Sequence, residues 1–334
     1  MSLVNKIKAL ILSRKLFKNW LSAGVRYYLI RHGLSRGDIV VKCGDRKCKM
    51  NPHTYASIVL SHYNGWLRDF ICSDNGCMGK LCGIIDLLIR DDGVLLRMPD
   101  GVLMELIDVY NAIETWVYDI HFLAFDMNEW FILDIGAYVG DTALYYARRG
   151  AFVVAVEPLP DNYNFMLRNL ELNPTLKVRI IPINAAISGV DRFVEFKHNY
   201  TVDAGGSIHG VGRLISRVRS MKLSTLIREI NNMGIDLNRF KVRVLKADCK
   251  GCEYDIIDET DVLGLFDIIK IEYSGYLRGR TYHELKDRLE ALEFRCRVWG
   301  HNELVPKFGL DRHGTLTCVK RGSEQNIVRW SPAT

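Results

Sequence analysis

Two stretches of the chain hold side chains whose types and spacing could do chemistry. In FILDIGAYVGDTALYYARRGAFVVAVEP, residues 131–158, an apolar run ends at Asp134, and Gly136 and Gly140 bracket a short loop containing Ala137. A helix is expected to start at Asp141 or Thr142, and the next apolar run ends at Glu157, 21 residues after Gly136. Glycine allows the tight turn and lets the backbone approach a ligand. A carboxylate about 20 residues further on, at the end of the next strand, can accept both hydroxyls of a ribose. The second stretch, ADCKGCE at 247–253, sets Asp248 and Glu253 around Lys250 and also contains a C-x-x-C. That cysteine pair could be a redox couple or half of a zinc site.

The charge of the first loop narrows the choice of ligand. A dinucleotide site would show G-x-G-x-x-G with a pyrophosphate at the helix N-terminus, but Tyr138 stands where the middle glycine would be. Asp134 and Asp141 would repel a pyrophosphate and attract a cation. S-adenosylmethionine carries an ammonium and a sulfonium and no phosphate, so it fits this loop better than a dinucleotide. The plain alternative is an α/β domain with a glycine turn and an N-cap aspartate.

These residues need a scaffold, and from about residue 128 the pattern supplies one. Apolar runs at 131–135, 152–156, 178–183, 242–247, 267–273, 294–298 and 315–319 predict strands, and 141–149, 160–172, 223–232 and 282–292 predict helices. Strands rich in Val and Ile, separated by helices, indicate a parallel sheet covered on both faces. Such sheets bind ligands in the crevice at the carboxyl ends of their strands. Upstream the pattern is less regular. DIVVKC reads as a strand, and VLLRMPDGVLMELI as a hairpin turning at Pro99-Asp100-Gly101. Cys43, Cys48, Cys72 and Cys77 form two C-x4-C pairs. A four-thiolate zinc site is one reading of them. Ordinary thiols are the favoured one, because the commoner short spacing is x2.

The blocks DIGAYVGDTALYYARRGA (134–151), EPLPDNYNFMLRNLELN (157–173), NAAIS (184–188), LKADCKGCEYDII (245–257) and IEYSGY (271–276) resemble the FkbM-type methyltransferases over roughly residues 125–300. The resemblance implies an α/β fold of the class I, Rossmann-like methyltransferase type: a mostly parallel seven-stranded sheet with helices on both faces, here with an N-terminal accessory region. It implies S-adenosylmethionine as cofactor and O-methyl transfer to a hydroxyl of a sugar, a glycan or a related small molecule. Asp134, Gly136 and Gly140, with Ala137 and Asp141 in the same loop, would hold the methionine portion. Glu157 would bind the ribose, and Asn184 and Ala185 would line the adenine. ADCKGCE matches the family's D-x-E-G-x-E loop, which makes Asp248 and Glu253, with Lys250 between them, the catalytic candidates and the C-x-x-C incidental. Two positions depart from the family: Lys250 replaces its middle Glu, and Ser274 stands where it often has His. Lys250 works against a carboxylate metal site on this loop, so no metal is expected there. Together the two departures also admit a cofactor-binding protein with weakened chemistry.

A hydroxyl that attacks a methyl group must lose its proton, and Asp248 is the first choice of base, Glu253 the second. His198 and His209 are alternatives on the segment 198–222, which reads as a loop able to close over a substrate. Its Arg213, Arg217 and Arg219 could grip an anionic acceptor or form a solvated basic surface.

Composition sets the remaining bounds. With 48% apolar and 25% charged residues the chain is not disordered overall. No apolar run reaches the roughly 18 residues of a membrane span, and the N-terminus does not read as a secretory signal. Nine scattered cysteines suggest a cytoplasmic chain with reduced thiols. The net charge of +6 is uneven: residues 1–49 carry +10 and the rest −4. Residues 3–21 show a helical apolar stripe with Lys6, Lys8, Lys15 and Lys18 mostly off it. Such a basic helix could lie on an anionic membrane, follow the phosphates of RNA, or simply pack on its own domain. RNA ribose methylation is the rival activity; against base methylation, no N-P-P-[YFW] follows the fourth strand. The expected division is an N-terminal basic helix and accessory region over 1–120, a methyltransferase domain over 121–322 and a loose tail over 323–334.

Overall fold

In the computed structural model, residues 3–73, 76–91, 93–200, 202–300 and 304–326 are described. Most of the expected tail, 327–334, therefore lies outside the described residues. The chain divides into two compact units, Met1–Asp119 and Ile120–Thr334.

The second unit is built on seven strands: β1 (Trp130–Ile135), β2 (Phe152–Val156), β3 (Ile180–Ile183), β4 (Val242–Ala247), β5 (Ile268–Ser274), β6 (Phe294–Trp299) and β7 (His313–Lys320). Their order across the sheet is β3-β2-β1-β4-β5-β7-β6. All pairs are parallel except β5 with β7 and β7 with β6. This is the mostly parallel, class I methyltransferase arrangement. All six residues of β1 are buried, which is why the strand reads as an unbroken apolar run. Helices Asp141–Arg148, Pro160–Glu171, Leu223–Asn232 and Tyr282–Ala291 fall in the connections between successive strands. Strand β3 starts at Ile180, not at residue 178, because a turn of helix, Pro174–Lys177, precedes it and Val178 is solvent-exposed. The chain leaves β1 for β2 on one side and returns to β4 on the other. The switch point between β1 and β4 is where a sheet of this kind opens a crevice.

A correction concerns residues 198–222. Arg192–His198 and Leu214–Met221 form an antiparallel hairpin, so only 199–213 is connecting chain. Phe193, Leu214 and Ile215 are exposed, while Phe196, His198, Val218 and Ser220 are buried, so only half of each strand alternates and the period-2 signal is too short to reveal a strand in sequence.

The first unit carries the expected hairpin, Gly93–Arg97 on Leu103–Glu105, as part of a five-stranded antiparallel meander. Strand Ile39–Cys43 pairs with Arg46–Met50. The stripe read as one helix over 3–21 is two, Leu3–Leu12 and Trp20–Arg31. Ser13 interrupts it: its hydroxyl bonds back to Leu10 O, and its carbonyl takes the amides of both Leu16 and Phe17. Phe17 is thereby turned into the core, its ring stacked on Tyr55 at 5.9 Å.

Six cysteines are paired, as Cys72–Cys77, Cys249–Cys252 and Cys296–Cys318. This corrects the expectation of reduced thiols. The cause is register: Cys72 faces Cys77, and Cys296 faces Cys318, directly across antiparallel strands, where side chains approach most closely. The four early cysteines do not form a zinc centre, since Cys72 and Cys77 are bonded to each other while Cys43 and Cys48 are free and buried. Burial pushes the Cys48 thiol up, and Cys43 well above the usual thiol range.

Candidate active site

Strands β1 and β4 bring Asp134 and Lys246 into register at the floor of the crevice. Lys246 Nζ lies 2.9 Å from Asp134 Oδ1, and the Thr142 hydroxyl donates to Asp134 Oδ2. All three side chains are buried. Burial pushes the Lys246 pKa down, but Asp134, Asp248 and Asp141 outweigh it and hold it above the ordinary lysine value. Asp134 was read as facing a cationic ligand; the structure gives it a resident cation. One signal in the sequence pointed there, a lysine next to the end of the strand run VRVLKA, where it is buried.

The glycines behave as their spacing suggests. Gly136 has φ +78°, and a Cβ there would lie 2.0 Å from the Asp248 carbonyl oxygen. The loops after β1 and β4 touch, and only glycine fits. Gly140 has φ +85° and caps helix Asp141–Arg148. Ala137 is buried, its amide on Val156 O at 3.0 Å, and Asp141 is buried at the helix start.

Glu157, at the end of β2, is 4% exposed. Its Oε2 accepts from Tyr138 N at 3.0 Å, and its Oε1 from Leu159 N at 2.9 Å and Asn162 Nδ2 at 3.0 Å. It thus ties the glycine loop to the second strand. Burial raises its pKa to about 7, although these bonds and Lys246 oppose the rise. Asn184 is exposed and donates to Glu157 O and Pro158 O at 2.8 and 3.1 Å. Ala185 is in the core.

The loop after β4 forms a second charge cluster. Lys250, at φ +52°, folds its side chain back so that Nζ sits 2.6 Å from Asp248 Oδ1 and 2.9 Å from Glu272 Oε1. Burial lowers the Lys250 pKa, but the two carboxylates reverse this and raise it well above the ordinary value. Glu272, near the end of β5, is 3.9 Å from Nε2 of the buried His313. His313 stands opposite Ser274 in the β5–β7 register, so an imidazole reaches this site from a different strand. Register alone reveals it. Glu253 is fully buried and takes Gly251 N at 2.7 Å and Ser274 N at 2.5 Å, pinning the loop to the end of β5. Burial raises its pKa to about 7 against those two bonds. The space enclosed by Lys246, Asp248, Glu272 and Thr315 is about 10 Å³, room for one water.

Connecting chain 199–213 is fastened to both sides of the crevice. Asn162 exchanges bonds with Asp203 at 3.0 and 3.1 Å, and the Ser207 hydroxyl donates to Lys250 O at 2.5 Å. His209 Nε2 lies 3.0 Å from Asp255 and 2.7 Å from Arg278, against Gly251. His198 is buried between Tyr200 O and Ser216 Oγ. Arg217 stacks over Phe193, and Arg219 pairs with Glu229, which takes both away from an anion-gripping role; Arg213 is exposed. Cys249 and Cys252 adjoin Glu253, the one close grouping of three Cys, His, Asp or Glu side chains found among the described residues, but their bond to each other leaves no thiolate there for a metal.

The family model described as the methyltransferase FkbM domain matches residues 134–296. Residues 134–296 are an FkbM methyltransferase domain. Among solved structures, a methyltransferase FkbM from Methylobacillus flagellatus KT is similar at 14% identity and a TM-score of 0.40, over 59% of this chain and 44% of that one. An O-methyltransferase from Bacillus cereus in complex with SAH is similar at 12% identity and a TM-score of 0.36, over 64% of this chain and 79% of that one. The chain therefore spans less than half the length of the first of these. Comparison with curated proteins returns no match. The FkbM domain begins at Asp134 and takes in Glu157, the loop after β4 and Glu272; His313 lies beyond it.

Proposed function

We propose that the FkbM domain transfers a methyl group from S-adenosylmethionine to a hydroxyl of a sugar, a glycan or a related small molecule. The observation that carries the reading is the contact of Gly136 with Asp248 at the switch point, flanked by the buried carboxylate of Glu157. The donor set fits the cofactor: backbone without side chains at Gly136 and Gly140, the Asp141 carboxylate at the helix start, and Glu157 for the ribose hydroxyls, with Asn184 beside it. Asp134, engaged by Lys246 and Thr142, would act on the cofactor through them. When bound, the cofactor supplies an electrophilic methyl group on a positively charged sulfur.

The chain's own residues then have distinct tasks. Asp248 Oδ1 is held by Lys250, which leaves Oδ2 to take the proton from the acceptor hydroxyl. Glu253, without solvent access, positions the loop through two backbone amides rather than meeting the acceptor. Residues 199–213 exclude water once closed. Incubating the full chain with the cofactor and a panel of mono- and oligosaccharides, and measuring S-adenosylhomocysteine release, tests the reading. Release with at least one acceptor, cut at least ~100-fold in Asp248→Asn, is expected. Release unaffected by that change would remove Asp248 as the base.

A second reading has its own observation. Lys246 and Lys250 already compensate the acidic floor, as in a domain that keeps the cofactor but has weakened chemistry. Cofactor binding without turnover on any acceptor would favour it.

A further inference from the structure

The first unit carries a surface that methyl transfer does not use. Helix Leu3–Leu12 turns Ala9 inward and leaves Val4, Ile7 and Ile11 exposed at 59%, 49% and 44%. Three and four residues apart, they form one stripe. In helix Trp20–Arg31, Ala23 and Gly24 face inward. Leu10 packs so closely there that a Cβ on Gly24 would meet its Cδ1 at 2.1 Å. Leu21, Val25 and Tyr28 form a second stripe, exposed at 56%, 50% and 58%. A surface helix ordinarily buries its apolar stripe; two adjacent helices here turn theirs to solvent.

Charge says what covers them. Residues 1–37 contain eight Lys and Arg and no Asp or Glu. Lys6, Lys8, Arg14, Lys15, Lys18 and Arg31 are all exposed. Lys8 lies one turn beyond Val4, on the same face as the first stripe. No helix among the described residues is long and apolar enough to cross a membrane. Short helices with an apolar face and basic flanks lie in the plane of an interface.

We infer that this face docks on an anionic phospholipid surface. The six apolar side chains enter the boundary between headgroups and acyl chains, and the basic side chains meet the headgroup phosphates. A nucleic acid would satisfy the charge but leave both apolar stripes in water, so lipid is the better occupant. The inference does not rest on the methyl-transfer reading.

Flotation of the full chain with vesicles tests it. Phosphatidylcholine vesicles are compared with vesicles that also contain phosphatidylglycerol. The chain is expected to float with the anionic vesicles only, and less so as salt is raised. The variant Val4→Gln/Ile7→Gln/Ile11→Gln should bind at least ~10-fold more weakly. Lys6→Gln/Lys8→Gln/Lys15→Gln should lose about fivefold per residue. All six positions are exposed, so both variants are expected to fold. The inference is overturned if the chain stays out of both kinds of vesicle. It is equally overturned if the apolar variant binds as the wild type does, which would indicate a polyanion surface such as one for RNA. A wild-type dimer abolished by the apolar substitutions would overturn it as well, by assigning the face to a second copy of the chain.

Discussion

Lys250 Nζ lies 2.6 Å from Asp248 Oδ1, so the carboxylate that ends the fourth strand is already committed through one oxygen to a cation from its own loop. The same ammonium reaches Glu272 at 2.9 Å. Lys250 thus stands between two carboxylates that would otherwise repel each other.

Lys250→Met should therefore destabilise the fold. Removing one partner of a buried ion pair costs roughly 3–5 kcal/mol. With the Asp248 side chain 26% exposed, the lower end is expected, about 3 kcal/mol. Urea denaturation reads it, and adding Glu272→Gln should recover part of the loss. Turnover should fall roughly tenfold as Asp248 loses its anchor. A rise in turnover would instead support the weakened-chemistry reading.

Glu253 makes stability depend on pH. Its folded pKa is raised from 4.5 to about 7, so the native state binds the proton more tightly than the unfolded chain. The resulting stability is fully present below pH 4.5 and is lost as pH rises through about 7. Glu157 acts in the same direction over the same window. Glu253→Gln should lower the melting temperature at every pH, because one amide loses its acceptor. It should also flatten the decline between those pH values. An unchanged slope would show that Glu253 does not titrate there.

The strap over the crevice should open more readily when its ends are cut. Ser207→Ala removes the bond to Lys250 O. A hydrogen bond of about 0.5–1.5 kcal/mol corresponds to roughly 2–10-fold faster amide exchange in 199–213. Hydrogen exchange read by mass spectrometry checks this, and unchanged protection would mean that the strap is held elsewhere.

Alkylation of the unreduced, denatured protein should label Cys43, Cys48 and Cys82 alone. Cys296→Ala/Cys318→Ala opens a loop of sequence separation 22. Chain entropy alone makes that about 3 kcal/mol of stability, measurable by urea denaturation.

The sheet was legible because its strands are buried on both faces and read as mostly apolar runs, as in FILDI and FVVAV. The glycine loop was legible because Gly136 and Gly140 are required by backbone geometry. What the sequence hid depends on register and folding-back. Lys246 meets Asp134, His313 meets Ser274 and Cys296 meets Cys318 only across paired strands. Lys250 turns onto Asp248 through a left-handed residue that its side chain does not announce. Helix 3–21 split at Ser13, whose hydroxyl and carbonyl supply competing bonds that the apolar period does not register.

Calorimetric titration of S-adenosylmethionine into the full chain, beside Glu157→Gln, tests the central claim most directly. Saturable one-site binding, weakened at least ~10-fold by the substitution, is the expected result. No heat of binding in the wild type, or the same affinity in both proteins, would contradict it.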